Sequence, residues 1–276
     1  MGPTAIGKTA YAIRLAKKLG TEILSCDSRQ FYQELNIGVA RPSEDELKAA
    51  KHHFIACRSV ENPFNVYSFE QEALQCLEKL FERHDIVVAV GGSGLYIDAL
   101  CKGIALLPDP KPGLREQLKQ QLQAEGIESF QKSLQQLDPA YYAIVDKQNP
   151  VRLQRALEVC ITSGKPYSEL IAQQRPIRNF EIKKTVLTAS PEELRKRINR
   201  RVDLMIEMGL EEEVRQVTQF RHLNTLNTVG YKEFFEAWDQ GNHNIQSIAE
   251  AIKTHTWQYA KKQLTWIKRD SGATTN

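Results

Sequence analysis

Three features of this sequence predict an α/β fold, a parallel sheet flanked by helices and carrying a helical insertion. A Gly-Pro-Thr-Ala-Ile-Gly-Lys-Thr run at 2–9 opens directly into a helical pattern of apolar residues. Two short apolar runs, 22–26 and 86–90, alternate with helical segments in the manner of buried parallel strands. Three prolines within 108–112 then separate this alternation from a Gln- and Leu-rich stretch with no strand pattern.

The elements follow in order. Residues 2–9 fill every fixed position of the phosphate-loop pattern G-x-x-x-x-G-K-[ST], which makes the core P-loop NTPase-like. Gly2 and Gly7 let the backbone turn its N–H groups inward, and Pro3, Thr4, Ala5 and Ile6 span the arc between them. Lys8 supplies positive charge, and Thr9 offers a hydroxyl to a Mg²⁺ ion bridging two phosphates. Tyr11, Ile13, Leu15 and Leu19 continue as the helix whose N-terminus completes the anion site. Such a loop normally follows a buried strand, and only Met1 precedes Gly2 here. The expectation is either that the first strand is missing or that the N-terminal side of the loop hangs free.

Glu22–Cys26 reads as the next strand, a helix spans 68–83, and 86–90 (Ile-Val-Val-Ala-Val) reads as a β-branched strand ending in Gly91-Gly92. Ligands in such sheets bind beyond the carboxyl ends of the strands. The rule gathers 2–9, Asp27 to Gln30 and Gly91 to Tyr96 into one place. The domain division expected is 1–112 plus 173–276 for the core and 113–172 for the insertion, whose Leu114, Leu118 and Leu122 have helical spacing. A return strand is expected within 180–188, and Ser190-Pro191-Glu192-Glu193 is a helix start. The tail after Asp270 is expected to fray.

Composition narrows the class. With 41% apolar and 26% charged residues the 276-residue chain is globular, and no stretch has the roughly 18–20 apolar residues that cross a bilayer. The five cysteines form no CxxC pair, which points to reduced thiols in a cytoplasmic protein without a zinc site. Net charge is +3, and the excess lies after residue 172, densest at Arg195–Arg197 and Arg200–Arg201. A solvated helix face is the ordinary reading of that run and a polyanion contact the sharper one.

The phosphate loop by itself specifies a polyphosphate binder. The lack of an N-K-x-D motif argues against a GTPase, and a small-molecule kinase remains open. Asp27 is a carboxylate at a strand end, suited to bind Mg²⁺ or act as a base. Ser93 is a hydroxyl in a glycine-rich loop, and Arg152 and Arg155 share one helical face. The ordinary alternatives are a turn-forming Asp, a tight glycine turn and ion pairing to Glu158.

The ordered series of segments resembles the tRNA dimethylallyltransferase family almost end to end. It runs through Gly2–Thr9, Ser25–Gln30, Ile37–Pro42, Gly91–Tyr96, Arg152–Val159, Arg197–Met205, Gly209–Val214, Thr228–Glu233 and Tyr259–Trp266. The resemblance implies that the loop holds the diphosphate of dimethylallyl diphosphate rather than ATP, with Arg201 also reaching it. It implies transfer of the prenyl group to the exocyclic amine of the adenosine 3′ to the anticodon. Asp27 would be the base, Lys8 and Mg²⁺ at Thr9 would stabilise the leaving group, and Ser93 would orient the amine or the diphosphate.

Contacts to the tRNA anticodon stem-loop map onto Asp27, Ser28, Arg29, Gln30 and Ser93. They also map onto Arg115, onto Val151, Arg152, Leu153, Gln154 and Arg155, and onto Thr228, Val229, Gly230, Tyr231, Lys232 and Glu233. No protein partner and no membrane are implied, and lack of a zinc finger matches the bacterial form. Two positions depart from the family pattern: Val39 replaces a threonine, and Trp257 stands where a basic residue is usual. Adenylate isopentenyltransferases are the nearest alternative, and a catalytically inactive RNA-binding module is the alternative from another class.

Overall fold

A computed structural model describes residues 1–172 and 177–269, and the backbone of 273–275. The chain divides into two compact units, Met1–Cys101 with Asn179–Asn276, and Lys102–Arg178. The second unit is wider than the 113–172 that the proline run suggested. Lys111 N–H donates to Thr162 Oγ1 (3.4 Å), which ties the proline segment to the helices that follow it.

In the first unit, β1 (Ile23–Ser25), β2 (His52–His53) and β3 (Val88–Val90) form a parallel sheet in the order β2-β1-β3, with Leu24 opposite Ala89. All three β1 residues are buried, as a central parallel strand requires. Three helices pack around this sheet: α1 (Lys8–Leu19), α3 (Val66–Phe81) and α4 (Gly94–Lys102); α2 (Glu44–Ala49) is closed by a capping box between Ser43 and Glu46. Phe31, Phe64, Phe69 and Tyr96 form an aromatic cluster, with Phe31 and Phe69 stacked at 5.4 Å. That cluster packs with Leu24 and Cys26 in one buried core.

A second parallel pair joins β4 (Lys184–Val186) to β5 (Ala273–Thr275). The strand expected within 180–188 is therefore present but shorter. The tail expected to fray contributes backbone to β5, while 270–272 and 276 lie outside the described residues. The N-terminal side of the phosphate loop does not hang free either. The Met1 ammonium donates to Thr185 O (2.7 Å) and Leu187 N–H donates to Met1 O (2.9 Å), a strand-like pairing with β4. A cavity of about 480 Å³ lies beside it, lined by Val88, Val90, Thr185, Leu15, Leu77 and Ile97 among others.

Helices α10 (Pro191–Glu207), α11 (Leu210–Gln216), α12 (Lys232–Asp239) and α13 (Ile245–Lys268) complete this unit. Ser190 caps α10 as expected, accepting from Glu193 N–H (3.2 Å). Their shared core includes Val202, Leu210, Leu226, Tyr231, Phe234 and Ile252. Val39, one of the two departures from the family pattern, packs against this core. Trp257 likewise packs beside Ile6, Leu194 and Ile198, with the Arg195 guanidinium over its ring.

Among its described residues the second unit contains five helices: α5 (Leu114–Glu125), α6 (Ile127–Leu137), α7 (Pro139–Ile144), α8 (Pro150–Ser163) and α9 (Tyr167–Ile171). They close on Leu114, Leu118, Phe130, Leu134, Leu153 and Leu157. No described helix is long and apolar enough to cross a membrane, and the five cysteines are thiols not joined in disulfides.

Candidate active site

The phosphate loop ends at Gly7, whose φ of 93° is left-handed and open to glycine at little cost. That turn starts α1 and aims its first N–H groups at the loop interior. Thr4 and Ile6 are tied down from α10: Arg201 Nη1 donates to Thr4 Oγ1 (3.3 Å) and Arg197 Nη1 donates to Ile6 O (3.3 Å). Part of the basic run of α10 thus faces the loop.

Lys8 Nζ donates to Pro3 O (2.8 Å), folded back across its own loop. Burial drives its pKa down to about 8; Asp27 opposes that shift and Arg201 adds to it. Burial also lowers the Arg201 pKa, against the pull of Asp27 and Glu46. Two desolvated cations and a carboxylate therefore share one field. Such an arrangement is costly without an anion and favourable with one, because an anion would satisfy both cations in a low dielectric.

Asp27 follows β1 in a turn closed by its own side chain, Oδ1 accepting from Arg29 N–H (3.0 Å). Ser93 Oγ accepts from Ser28 N–H (3.1 Å) and lies 3.1 Å from Ser28 Oγ. The loops after β1 and β3 are thereby joined at the hydroxyl the sequence had singled out. A Cβ on Gly92 would lie 3.3 Å from Lys8 Nζ and 3.3 Å from Gly2 O, so the third loop presses directly on the first. The three loops expected together are together.

Several other expected contact residues act inward. The Arg29 guanidinium donates to Thr225 O (2.9 Å), and Gln30 Nε2 donates to Ala40 O (2.9 Å). Tyr231 is buried with its hydroxyl donating to Glu213 Oε1 (2.6 Å). Glu233 is buried too, accepting from Gly230 N–H (2.8 Å) and paired with His255 (2.7 Å). Tyr231 and Glu233 are buried, whereas Arg29, Gln30, Thr228, Val229 and Lys232 are partly exposed.

In the second unit, Leu153 is buried in the core and Val151 is 74% exposed. Glu158, itself buried, accepts from Arg115 Nε (3.2 Å), Gln154 Nε2 (3.0 Å) and Arg155 Nη1 (3.4 Å). Arg155 and Arg115 thus both pair with Glu158. Arg152 is exposed at the start of α8, and among the described residues its guanidinium has no ion-pair partner.

Two site residues were not singled out from the sequence. Tyr259 lies within hydrogen-bond reach of Ser93 and Gln263, and burial, with Asp27 adding, pushes its pKa up to about 12. Gln263 bridges two of the loops. Both belong to the Tyr259–Trp266 segment, whose match to the family pattern was the available signal.

The IPP transferase family model matches residues 30–270. A tRNA dimethylallyltransferase of Christiangramia forsetii is 48% identical over 270 residues, covering 98% of this chain and 89% of that protein. The tRNA dimethylallyltransferase 1 of Bacteroides thetaiotaomicron is 46% identical over 270 residues, 98% and 87% of the two chains. Among solved structures, the full-length tRNA isopentenylpyrophosphate transferase of Bacillus halodurans matches with a TM-score of 0.70 at 30% identity, covering 100% of this chain and 87% of that one. A eukaryotic dimethylallyltransferase captured acting on tRNA matches with a TM-score of 0.83 at 26% identity, covering 99% and 71%.

Proposed function

The chain belongs to the IPP transferase family, and from that premise we propose that it is a tRNA dimethylallyltransferase. It moves a dimethylallyl group from dimethylallyl diphosphate to the exocyclic amine of the adenosine 3′-adjacent to the tRNA anticodon. The observation that carries this reading is the meeting of Lys8, Arg201 and Asp27 in one field beside Ser93.

A new C–N bond forms as the donor C–O bond breaks, diphosphate leaves, and the amine gives up one proton. Loop N–H groups, Lys8 and Arg201 take the charge growing on the leaving oxygen. Asp27 takes the amine proton; an aryl amine is a weak nucleophile and needs a carboxylate within hydrogen-bond reach as it attacks. Ser93, held by Ser28, orients the amine or the diphosphate. The adenosine has to leave the anticodon-loop stack to reach these groups.

Mg²⁺ fits as a companion of the diphosphate. Among the described residues no three His, Cys, Asp or Glu side chains cluster as a metal site, and Mg²⁺ commonly binds through substrate phosphates with few protein ligands. Thr9 would hold it, and it would neutralise charge on the leaving group. A cytoplasmic location follows from the tRNA substrate.

The test of donor class uses labelled dimethylallyl diphosphate with tRNA. Label is expected to pass to the tRNA with release of diphosphate, while ATP competes poorly and loses no γ-phosphate. Substrate-dependent ATP hydrolysis would instead identify a kinase.

The second unit would grip the tRNA through a few placed arginines, since residues 113–172 carry 7 Lys/Arg against 7 Asp/Glu. Arg152→Ala is expected to raise the Michaelis constant for tRNA and to flatten the salt dependence of binding by roughly 0.7–0.9 in slope, without lowering Tm. Arg155→Ala should do the same and also lower Tm slightly, because Glu158 loses one of its partners. Filter binding at several salt concentrations checks this. Unchanged slopes with only a Tm loss would confine both residues to a structural role.

A further inference from the structure

We propose that Gln263 is a positioning residue for prenyl transfer, holding the diphosphate loop in register with the loop that carries Ser93. The proposal rests on the prenyltransferase reading and adds a residue to it. Gln263 lies in the last third of the 24-residue helix α13 and is 6% exposed. Its amide is used at both ends. Oε1 accepts from Thr4 N–H (2.8 Å) in the phosphate loop, and Nε2 donates to Gly92 O (2.8 Å), one residue before Ser93. The Gly92 loop packs directly on that amide, for a Cβ at Gly92 would lie 2.5 Å from Gln263 Nε2.

The chemistry of the two partners selects glutamine. One is an N–H needing an acceptor and the other a carbonyl needing a donor, and each is costly to leave unpaired when buried. A methionine of similar length meets neither need. An ionised glutamate meets the first and repels the second, whereas a protonated glutamate meets both. The helix that presents the amide is anchored nearby: Trp266 Nε1 donates to Asp98 Oδ2 (2.9 Å) in α4, with the indole against Gly94. One rigid element thus carries the bridge. One of the two loops carries the diphosphate and the other carries Ser93, so the bridge sets the distance between them. A shift of about 1 Å in that distance is enough to slow transfer about 100-fold.

The experiment compares wild type, Gln263→Met and Gln263→Glu in single-turnover transfer at saturating tRNA and dimethylallyl diphosphate, from pH 5.5 to 8.5, with Tm recorded for each. Expected is a loss of about 10- to 100-fold in the transfer rate of Gln263→Met at every pH, with both dissociation constants within about 3-fold of wild type. For Gln263→Glu the rate relative to wild type should climb as pH falls and the carboxyl protonates. Three results overturn the proposal: a Gln263→Met rate equal to wild type, a loss confined to the dissociation constants, or a Gln263→Glu ratio independent of pH. If Gln263→Met does not fold, the Gln263→Glu ratio decides, and a Gln263→Glu protein unfolded even at pH 5.5 overturns the proposal. Wild type that makes no prenylated tRNA would overturn the prenyltransferase reading itself, a result distinct from any of these.

Discussion

Asp27→Asn is expected to slow prenyl transfer by about 10²–10⁴ while leaving the affinities for tRNA and for diphosphate within a few-fold. The substitution keeps the size of the side chain and an oxygen to accept from Arg29 N–H, so the turn after β1 should stay closed. What it removes is the site that takes the amine proton. The same carboxylate opposes the desolvation of Lys8 and Arg201, so the variant also loses a negative charge beside the two cations. Diphosphate binding therefore should not weaken, and it can tighten slightly. A single-turnover rate near wild type with saturating substrates would remove Asp27 from the mechanism.

Lys8→Ala should weaken dimethylallyl diphosphate and inorganic diphosphate together, by about 10- to 100-fold, the range for loss of a buried charged hydrogen bond. The two should fall in parallel because Lys8 addresses the phosphates and not the prenyl group. The effect carries a pH signature. In the free enzyme the Lys8 pKa is lowered to about 8, and a bound diphosphate favours the ammonium and raises it. The Lys8 contribution to affinity is then complete below pH 8 and declines as pH rises past it. Lys8→Ala should abolish that decline. Titration calorimetry with inorganic diphosphate between pH 6.5 and 9.5 checks both statements; a wild-type affinity flat across this range would mean that Lys8 stays charged without the ligand.

The parts of this site legible in the sequence were those written in local order. The phosphate loop, the buried run ending at Asp27 and the β-branched run ending at Gly91 each carry their chemistry at a strand or helix terminus. The rule that ligands sit beyond strand ends brought them together. Ser190 as a cap and the leucine spacing of the insertion are equally local. Elements set by distant partners could not be read this way. β2 is two histidines long and has no period, and Met1 takes its strand-like pairing from Thr185 and Leu187. Gln263 reaches Thr4 across 259 residues of sequence. Arg29, Tyr231 and Glu233 sit in segments that match the family, and a motif alone does not tell which side chains turn outward. Tyr231 and Glu233 are buried, and the half-buried Arg29 donates to Thr225 O.

The decisive experiment is mass spectrometry of nucleosides and of ribonuclease fragments from tRNA incubated with the protein, dimethylallyl diphosphate and Mg²⁺. Expected is an adenosine heavier by one dimethylallyl group on its exocyclic nitrogen, located next to the anticodon on its 3′ side, with one diphosphate released per modification. Prenylation found only on free adenine nucleotide, or phosphate transferred in place of the prenyl group, would contradict it.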